Sequence, residues 1–287
     1  MNIAHIINPV NIGEKSDLYK AQPVTFNTMQ VAKMFSKQKN NIYQYVIGYK
    51  EDEPIFPVDF IKLPSLTKSV MDYGVFEKTR KLPLIKDILL SLKEAKEIDY
   101  IVYTNVDIAL MPFFYDYLFE KINNGSDSLI INRRVIQESD NLSYMFAEIG
   151  ESHPGYDCFV FRRELLNKFN LGNVCIGANW IGRVMIANLI LHSNKLEIIT
   201  DVHLTYHIGE DGAWLIENFS EFDLHNKKEV YTVLHNLKKK CTNNTKQTEI
   251  DEIIQFMDNW GNPLLKTKKI TLKEKIIFKL IQILKKI

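Results

Sequence analysis

The residues with the clearest chemical potential are Asn105 and Asp107, which follow the apolar stretch DYIVYT. Residues i and i+2 of an extended chain face the same side, so both side chains project from the carboxyl end of a predicted strand. Ligands of open α/β sheets bind at that edge. A carboxylate and an amide oxygen suit a hard divalent cation, Mn²⁺ or Mg²⁺, which would neutralise a substrate diphosphate. The alternative is an Asx turn that ends the strand and binds nothing.

The segment around Asp107 resembles the DxD region of GT-A glycosyltransferases, which use nucleotide-sugar donors. Upstream, Thr79-Arg80-Lys81 is similar to the basic residues before the corresponding helix of family-2-type enzymes. Downstream, Gly155–Arg163 resembles the acceptor segment of that fold, and His203–Gly209 resembles its C-terminal His-x-Gly element. The resemblance covers about residues 1 to 214. It implies a GT-A-like, Rossmann-related fold, a nucleotide-sugar donor and a divalent metal as cofactor.

The resemblance also implies a division of the site into metal, donor and acceptor residues. Asp107, His207 and Asn105 are the expected metal ligands. The expected donor-binding residues are Gln22, Arg80, Lys81, Thr104, Asn105 and Asp107, and the expected acceptor-binding residues are His153, Asn179, Trp180 and Trp214.

Asp157 is the candidate catalytic acid or base. It lies in HPGYDCF, where Pro154-Gly155 predicts a turn before a strand, and it could take a proton from an acceptor hydroxyl. The alternative is a carboxylate at the end of a loop that bonds nearby backbone N–H groups. Arg133 and Arg134 follow a buried strand and either meet an anionic acceptor or cap a helix.

Two departures from the family pattern affect the expected mechanism. The first acidic position of the DxD motif is Asn105, although an amide oxygen can also bind a metal. Inverting family-2 enzymes carry an acidic pair that supplies the catalytic base, and here Gly177-Ala178-Asn179-Trp180 stands in its place. The sequence therefore leaves open whether transfer retains or inverts configuration.

Short apolar runs alternate with segments of helical period, which predicts an α/β fold. Runs such as DYIVYT are apolar on both faces, as expected for a mostly parallel sheet covered by helices on both sides. The predicted strands are Ile3–Ile7, Ile42–Ile47, Tyr100–Thr104, Ser128–Ile131, Cys158–Phe161 and Leu196–Thr200. The predicted helices are Asn27–Lys37, Lys81–Ala95, Pro112–Asn123, Arg163–Phe169 and Trp180–His192.

The chain divides by composition into three parts. Residues 1–215 form the predicted catalytic domain, residues 216–265 a polar helical extension, and residues 266–287 a basic amphipathic helix with eight Lys and one Glu. Such a helix can lie on an anionic membrane surface, with each Lys contributing about 1 kcal/mol. The alternative is a helix that packs on the catalytic domain or on a second subunit.

Overall charge and cysteine content limit the remaining possibilities. A net charge of +1 gives no reason to expect a nucleic-acid partner. Three Cys without a CxxC spacing argue against a disulfide framework or a thiolate zinc site. The first residues lack the features of a signal peptide. We therefore expect a cytoplasmic protein that contacts the inner face of the cell membrane through its tail.

The sequence thus favours a metal-dependent hexosyl- or related transferase that moves a sugar to a glycan or lipid-linked acceptor, in bacterial surface polysaccharide synthesis. One alternative is a sugar nucleotidyltransferase, although Asn8–Gly13 forms no glycine-rich basic loop after the first strand. The other is a catalytically inactive GT-A-like binding scaffold. Nucleotide binding would separate an enzyme from a scaffold.

Overall fold

A mixed β-sheet runs through the computed structural model of the protein, which describes residues 1–136, 141–200, 202–208 and 220–259. The strands lie in the order β3-β2-β1-β4-β7-β6-β9-β5, and β8 also pairs with β6. The first four strands of this order are parallel, whereas β7 is antiparallel to both β4 and β6. The strands are β1 Ile3–Ile7, β2 Ile42–Val46, β3 Ile61–Lys62, β4 Tyr100–Thr104, β5 Ile108–Leu110, β6 Ser128–Ile136, β7 Glu151–Arg162, β8 Leu196–Ile199 and β9 Thr205–Ile208.

Helices cover both faces of this sheet. The α-helices are α1 Asp17–Phe35, α2 Ile85–Leu90, α3 Phe114–Asn123, α4 Leu142–Ala147, α5 Ile181–His192, α6 Ser220–Lys240 and α7 Asn244–Asn259. Short 3₁₀-helices span Lys39–Asn41, Lys50–Ile55, Val70–Asp72 and Arg163–Lys168.

Strand β4 shows how the sheet separates two apolar cores. Ile101 and Tyr103 belong to the core shared with α2, α5, α6 and α7. Tyr100 and Val102 belong to the core shared with α1 and α3. Successive side chains of a strand point to opposite faces, so a strand buried on both faces is apolar over most of its length. This arrangement explains why the apolar run predicted the strand with its correct ends.

Several predicted boundaries differ from the structure. Helix α1 begins ten residues before the predicted Asn27, because the Ser16 hydroxyl caps it by accepting from the Leu18 backbone N–H. The helix predicted over Lys81–Ala95 is reduced to α2, and Arg163–Lys168 is a 3₁₀-helix. The predicted turn at Pro154-Gly155 is wrong, because β7 begins at Glu151 and pairs there with β6 across register shifts.

Helices α6 and α7 pack on α5 and complete its core. Val230 and Leu234 of α6 and Ile250 and Met257 of α7 are fully buried in the same apolar cluster as β4. The helices of the extension therefore share one hydrophobic core with the sheet domain. Among the described residues, no helix is long and apolar enough to cross a membrane. The amphipathic segment 266–287 and Trp214 lie outside the described residues.

Candidate functional site

The candidate site lies where β4 ends. Asn105 opens a tight turn in which the Ile108 backbone N–H donates to the Asn105 carbonyl at 3.2 Å. The chain then enters β5 directly, so Asp107 precedes a strand that is paired to another part of the sheet. The turn therefore directs the side chains of Asn105 and Asp107 to different neighbours.

Asp107 meets His207 at the edge of the sheet. Strand β5 pairs antiparallel with β9 so that Ile108 lies opposite His207. His207 Nε2 is 3.4 Å from Asp107 Oδ2, and both side chains are largely buried. Asp107 Oδ1 is buried and has no hydrogen-bond partner among the described residues. A carboxylate oxygen in that position can accept a ligand.

Asp107 is ionised at neutral pH despite its burial. Burial alone raises the pKa of this carboxyl, but the hydrogen bond from His207 and the positive charges of His207 and Arg133 outweigh burial, and the pKa lies below its ordinary value. The site thus holds a negative charge that is compensated by neighbouring cations.

Asn105 belongs to a second group of contacts beside this pair. Its Oδ1 accepts from the Tyr103 hydroxyl at 3.0 Å, and its Nδ2 donates to Asp157 Oδ1 at 3.0 Å. The other oxygen of Asp157 is 2.9 Å from Arg133 Nη1. The amide is therefore oriented, and both oxygens of Asp157 are engaged.

Arg133 links the two groups. Its charge acts on Asp107, it forms an ion pair with Asp157, and its Nη2 lies 3.5 Å from His153 Nε2. The residue is only 8% exposed, which is unusual for arginine. The sequence leaves Arg133 between a contact with an anionic acceptor and a helix cap, and it does not predict the ion pair with Asp157. The sequence feature that could have indicated the burial of Arg133 is the pair of arginines directly after the apolar run SLIIN, where a buried strand is expected.

The structure therefore brings together five predicted site residues, Asn105, Asp107, His153, Asp157 and His207, around Arg133. His153 lies in β7, where its Nδ1 accepts from the Gly155 backbone N–H at 2.8 Å. Its ring is thus held on the same strand as Asp157.

Three predicted donor-binding residues have other contacts in the structure. Gln22 is buried in α1, where its amide bonds both the N–H and the carbonyl of Val10. The Thr104 hydroxyl is fully buried and lies 2.9 Å from His5 Nε2. Lys81 is exposed, pairs with Glu51 at 2.5 Å and lies over the Tyr49 ring.

The predicted acceptor residues Asn179 and Trp180 lie in the loop before α5. Asp223 of α6 accepts from both the backbone N–H and the side-chain amide of Asn179, at 2.7 and 2.8 Å. Trp180 follows with a φ of 82°, a left-handed conformation that costs energy for a bulky residue. Its ring packs partly buried against the core and lies 5.4 Å from Lys227 Nζ. Asn179 is thus part of a clamp that holds this strained loop to α6.

The donor set at Asp107 is small. Within the described part of the chain, no group of three or more His, Cys, Asp or Glu side chains is arranged to hold a metal ion. Mg²⁺ in nucleotide-binding enzymes often takes one or two carboxylates and completes its shell with phosphates and water. Asp107, with its unbonded Oδ1, supplies one such carboxylate, and His207 could join it as a ligand only in its neutral form.

Comparison with known proteins identifies the fold. No protein-family model matches this chain, and no curated protein matches its sequence. The solved structure of S. aureus TarS 1–349 matches 96% of this chain and 77% of its own, with 14% identity and a TM-score of 0.52. The TarS complex with UDP-GlcNAc matches 96% of this chain and 78% of its own, with 12% identity and a TM-score of 0.56. The chain has the GT-A fold.

The GT-A fold confirms the fold class expected from the sequence. A third TarS structure, a complex with UDP, has a TM-score of 0.50 at 14% identity. At this level of identity the likeness concerns the fold. The chemistry of the present chain rests on its own residues at the end of β4.

Proposed function

We propose that this protein is a glycosyltransferase that moves a sugar from a nucleotide-sugar donor to a hydroxyl of a glycan or glycolipid. The observation that carries the proposal is the convergence of Asp107, His207, Asp157 and Arg133 at the carboxyl end of β4 in a GT-A fold. Ligands of α/β sheets bind at this edge. The binding of UDP-GlcNAc by TarS supports a nucleotide-sugar donor.

The donor diphosphate requires positive charge, because negative charge grows on its bridging oxygen as the sugar leaves. A divalent cation, Mn²⁺ or Mg²⁺, held by Asp107 and by His207 in its neutral form, would supply much of that charge. Arg133 contributes a permanent charge at the site, whereas the ammonium group of Lys81 is exposed and paired with Glu51.

Asp157 is the proposed group that takes the proton of the acceptor hydroxyl. Arg133 and Asn105 each engage one of its oxygens, which orients the carboxylate. A carboxylate oxygen has two lone pairs, so an oxygen that bonds Arg133 or Asn105 can also accept from an acceptor hydroxyl. The segment Gly177–Trp180 offers no acidic side chain for this role.

A screen of nucleotide sugars tests the proposal. The protein is incubated with UDP-, GDP- and CMP-sugars in the presence of Mn²⁺ or of EDTA, and release of the nucleotide is measured. We expect slow hydrolysis of one donor class that depends on the metal. Asp107→Asn should lower that rate at least tenfold, as removal of a metal ligand or its partner commonly does.

The matched control is Asp251→Asn, which removes a carboxylate that is half-exposed on α7 and paired with Lys238. This variant should keep the rate of the unaltered protein. Full activity of Asp107→Asn would remove the proposed site. Absence of any nucleotide binding at millimolar concentration would instead favour the inactive binding scaffold.

We further propose that residues 266–287 bring the enzyme to an anionic membrane, where a lipid-linked acceptor in bacterial surface polysaccharide synthesis would be found. The support is the sequence itself, in which Ile276, Ile277, Leu280, Ile281 and Leu284 recur at helical spacing among lysines. Sedimentation with anionic vesicles, before and after removal of residues 266–287, tests this. Unchanged binding after truncation would refute it.

A further inference from the structure

A chain of buried polar side chains crosses the core beneath the candidate site. Its members are Gln44 in β2, Tyr115 in α3, His5 in β1 and Thr104 at the end of β4. Gln44 Nε2 donates to the Tyr115 hydroxyl at 3.3 Å, that hydroxyl lies 2.8 Å from His5 Nδ1, and His5 Nε2 lies 2.9 Å from the Thr104 hydroxyl. His5, Tyr115 and Thr104 are fully buried.

Most of the side chains around this chain of polar groups are apolar. His5 is flanked on β1 by Ala4 and Ile6, and its ring packs near the ring of Phe114. Burial lowers the pKa of His5 to about 3, so the ring is neutral, and in either tautomer one nitrogen donates while the other accepts. Apolar residues at these positions would avoid the cost of burying polar groups. A fully bonded polar network instead specifies one arrangement of the elements that it joins.

The network ends one residue before the turn of the site. Thr104 and Asn105 are consecutive, and the side chains of β4 alternate between the two faces of the sheet. On one face the Tyr103 hydroxyl holds Asn105, and on the other face His5 holds Thr104. The end of β4 is therefore fixed by a hydrogen bond on each side before the chain turns toward Asp107.

We infer that His5 is a positioning residue, which acts through Thr104 to hold the Asn105–Asp107 turn in the geometry that binds the donor with its metal. The inference rests on the proposed function. His5 touches none of the groups that contact the donor. Its effect is indirect, in the same way that outer residues of a metal site orient the ligands.

The test compares nucleotide affinity with thermal stability. Calorimetric titration measures the dissociation constants of UDP, GDP and CMP with Mn²⁺ for the unaltered protein, His5→Leu, His5→Gln and Thr104→Val, and a melting curve is recorded for each. Thr104→Val is nearly isosteric, so it reports on the hydroxyl even if His5→Leu fails to fold. Ser193→Ala is the control, because it removes a buried hydroxyl that bonds Ser128 at the amino end of β6.

We expect His5→Leu and Thr104→Val to weaken nucleotide binding about 10-fold or more, the range found for outer residues of metal sites. His5→Gln can place an amide near the position of Nε2 and should recover part of the affinity. Ser193→Ala should lower the melting temperature and leave affinity unchanged.

The outcomes separate this inference from the function on which it rests. Unchanged affinity in both His5→Leu and Thr104→Val, with melting temperatures lowered as in Ser193→Ala, overturns the positioning role and leaves His5 as a core residue. Absence of nucleotide binding by the unaltered protein overturns the proposed function and this inference together.

Discussion

The Asn105→Asp substitution would give the chain the acidic residue that a DxD motif carries at this position, and the structure predicts that it is destabilising without metal. Asn105 Nδ2 donates to Asp157 Oδ1 at 3.0 Å. A carboxylate in place of the amide cannot donate, so the substitution replaces a hydrogen bond by two negative charges in contact. The outcome depends on how far Arg133, on the other oxygen of Asp157, offsets that repulsion.

The size of the effect follows from two contributions. Loss of the hydrogen bond costs about 1 kcal/mol. Two unit charges about 4 Å apart repel by about 4 kcal/mol at the effective dielectric constant of a protein surface, and we expect Arg133 to offset roughly half of this. Asn105→Ala removes both side-chain hydrogen bonds of Asn105 and should lose about 2 kcal/mol, whereas Asn105→Asp keeps the bond from the Tyr103 hydroxyl and should lose about 3 kcal/mol. With about 2 °C per kcal/mol for a chain of this size, the melting temperatures should fall by about 4 and 6 °C.

Melting curves in EDTA and in Mn²⁺ measure both contributions. In EDTA the Asp variant should melt below the Ala variant, because the charge repulsion outweighs the hydrogen bond from Tyr103 that only the Asp variant keeps. Mn²⁺ should raise the melting temperature of Asn105→Asp more than that of the unaltered protein, because a cation near Asp107 screens the added carboxylate. Equal melting temperatures for the Asp and Ala variants in EDTA would refute the contact between residues 105 and 157 on which this reasoning depends.

Three further predictions concern stability. Arg133→Met removes the cation that pairs with the largely buried Asp157 and should lower the free energy of unfolding in urea by about 3 kcal/mol. Adding Asp157→Leu should recover part of this loss, and a double variant less stable than Arg133→Met would contradict the ion pair. The pKa of His5 falls from 6.5 to about 3 on folding, so between these values the unfolded chain binds a proton that the folded chain does not, and stability falls as the pH falls. His5→Gln should therefore reduce the slope of unfolding free energy against pH between pH 7 and 4, by up to about 1.4 kcal/mol per pH unit. An unaltered slope would exclude this titration. Gly150→Ala should lower the free energy of unfolding by at least about 1–2 kcal/mol, because φ is +65° and a Cβ would lie 2.6 Å from the Val135 carbonyl oxygen. An unchanged melting temperature would show that the backbone moves to accept the methyl group.

The secondary structure was predictable where burial left a local pattern. Strands β1 and β4 were placed to the residue, because both of their faces are covered and each strand consists mostly of apolar residues. The start of α1 was missed because it depends on the Ser16 cap, upstream of the apolar period. The extent of β7 was missed because its first half is held by pairing with β6. The local sequence HPGYDCF contains no pattern that predicts this pairing.

By itself, the sequence determined that this is an α/β chain and that an amide and a carboxylate leave β4 at its carboxyl end, because strand periodicity and the order of neighbouring residues are local properties. Tertiary structure decided which side chains those groups meet. Asp107 and His207 are 100 positions apart in the chain and come together through the register of β5 and β9. The burial of Arg133 beside Asp157 likewise depends on how β6 and β7 pair, and long-range pairing leaves no signature in the spacing of residues along one chain.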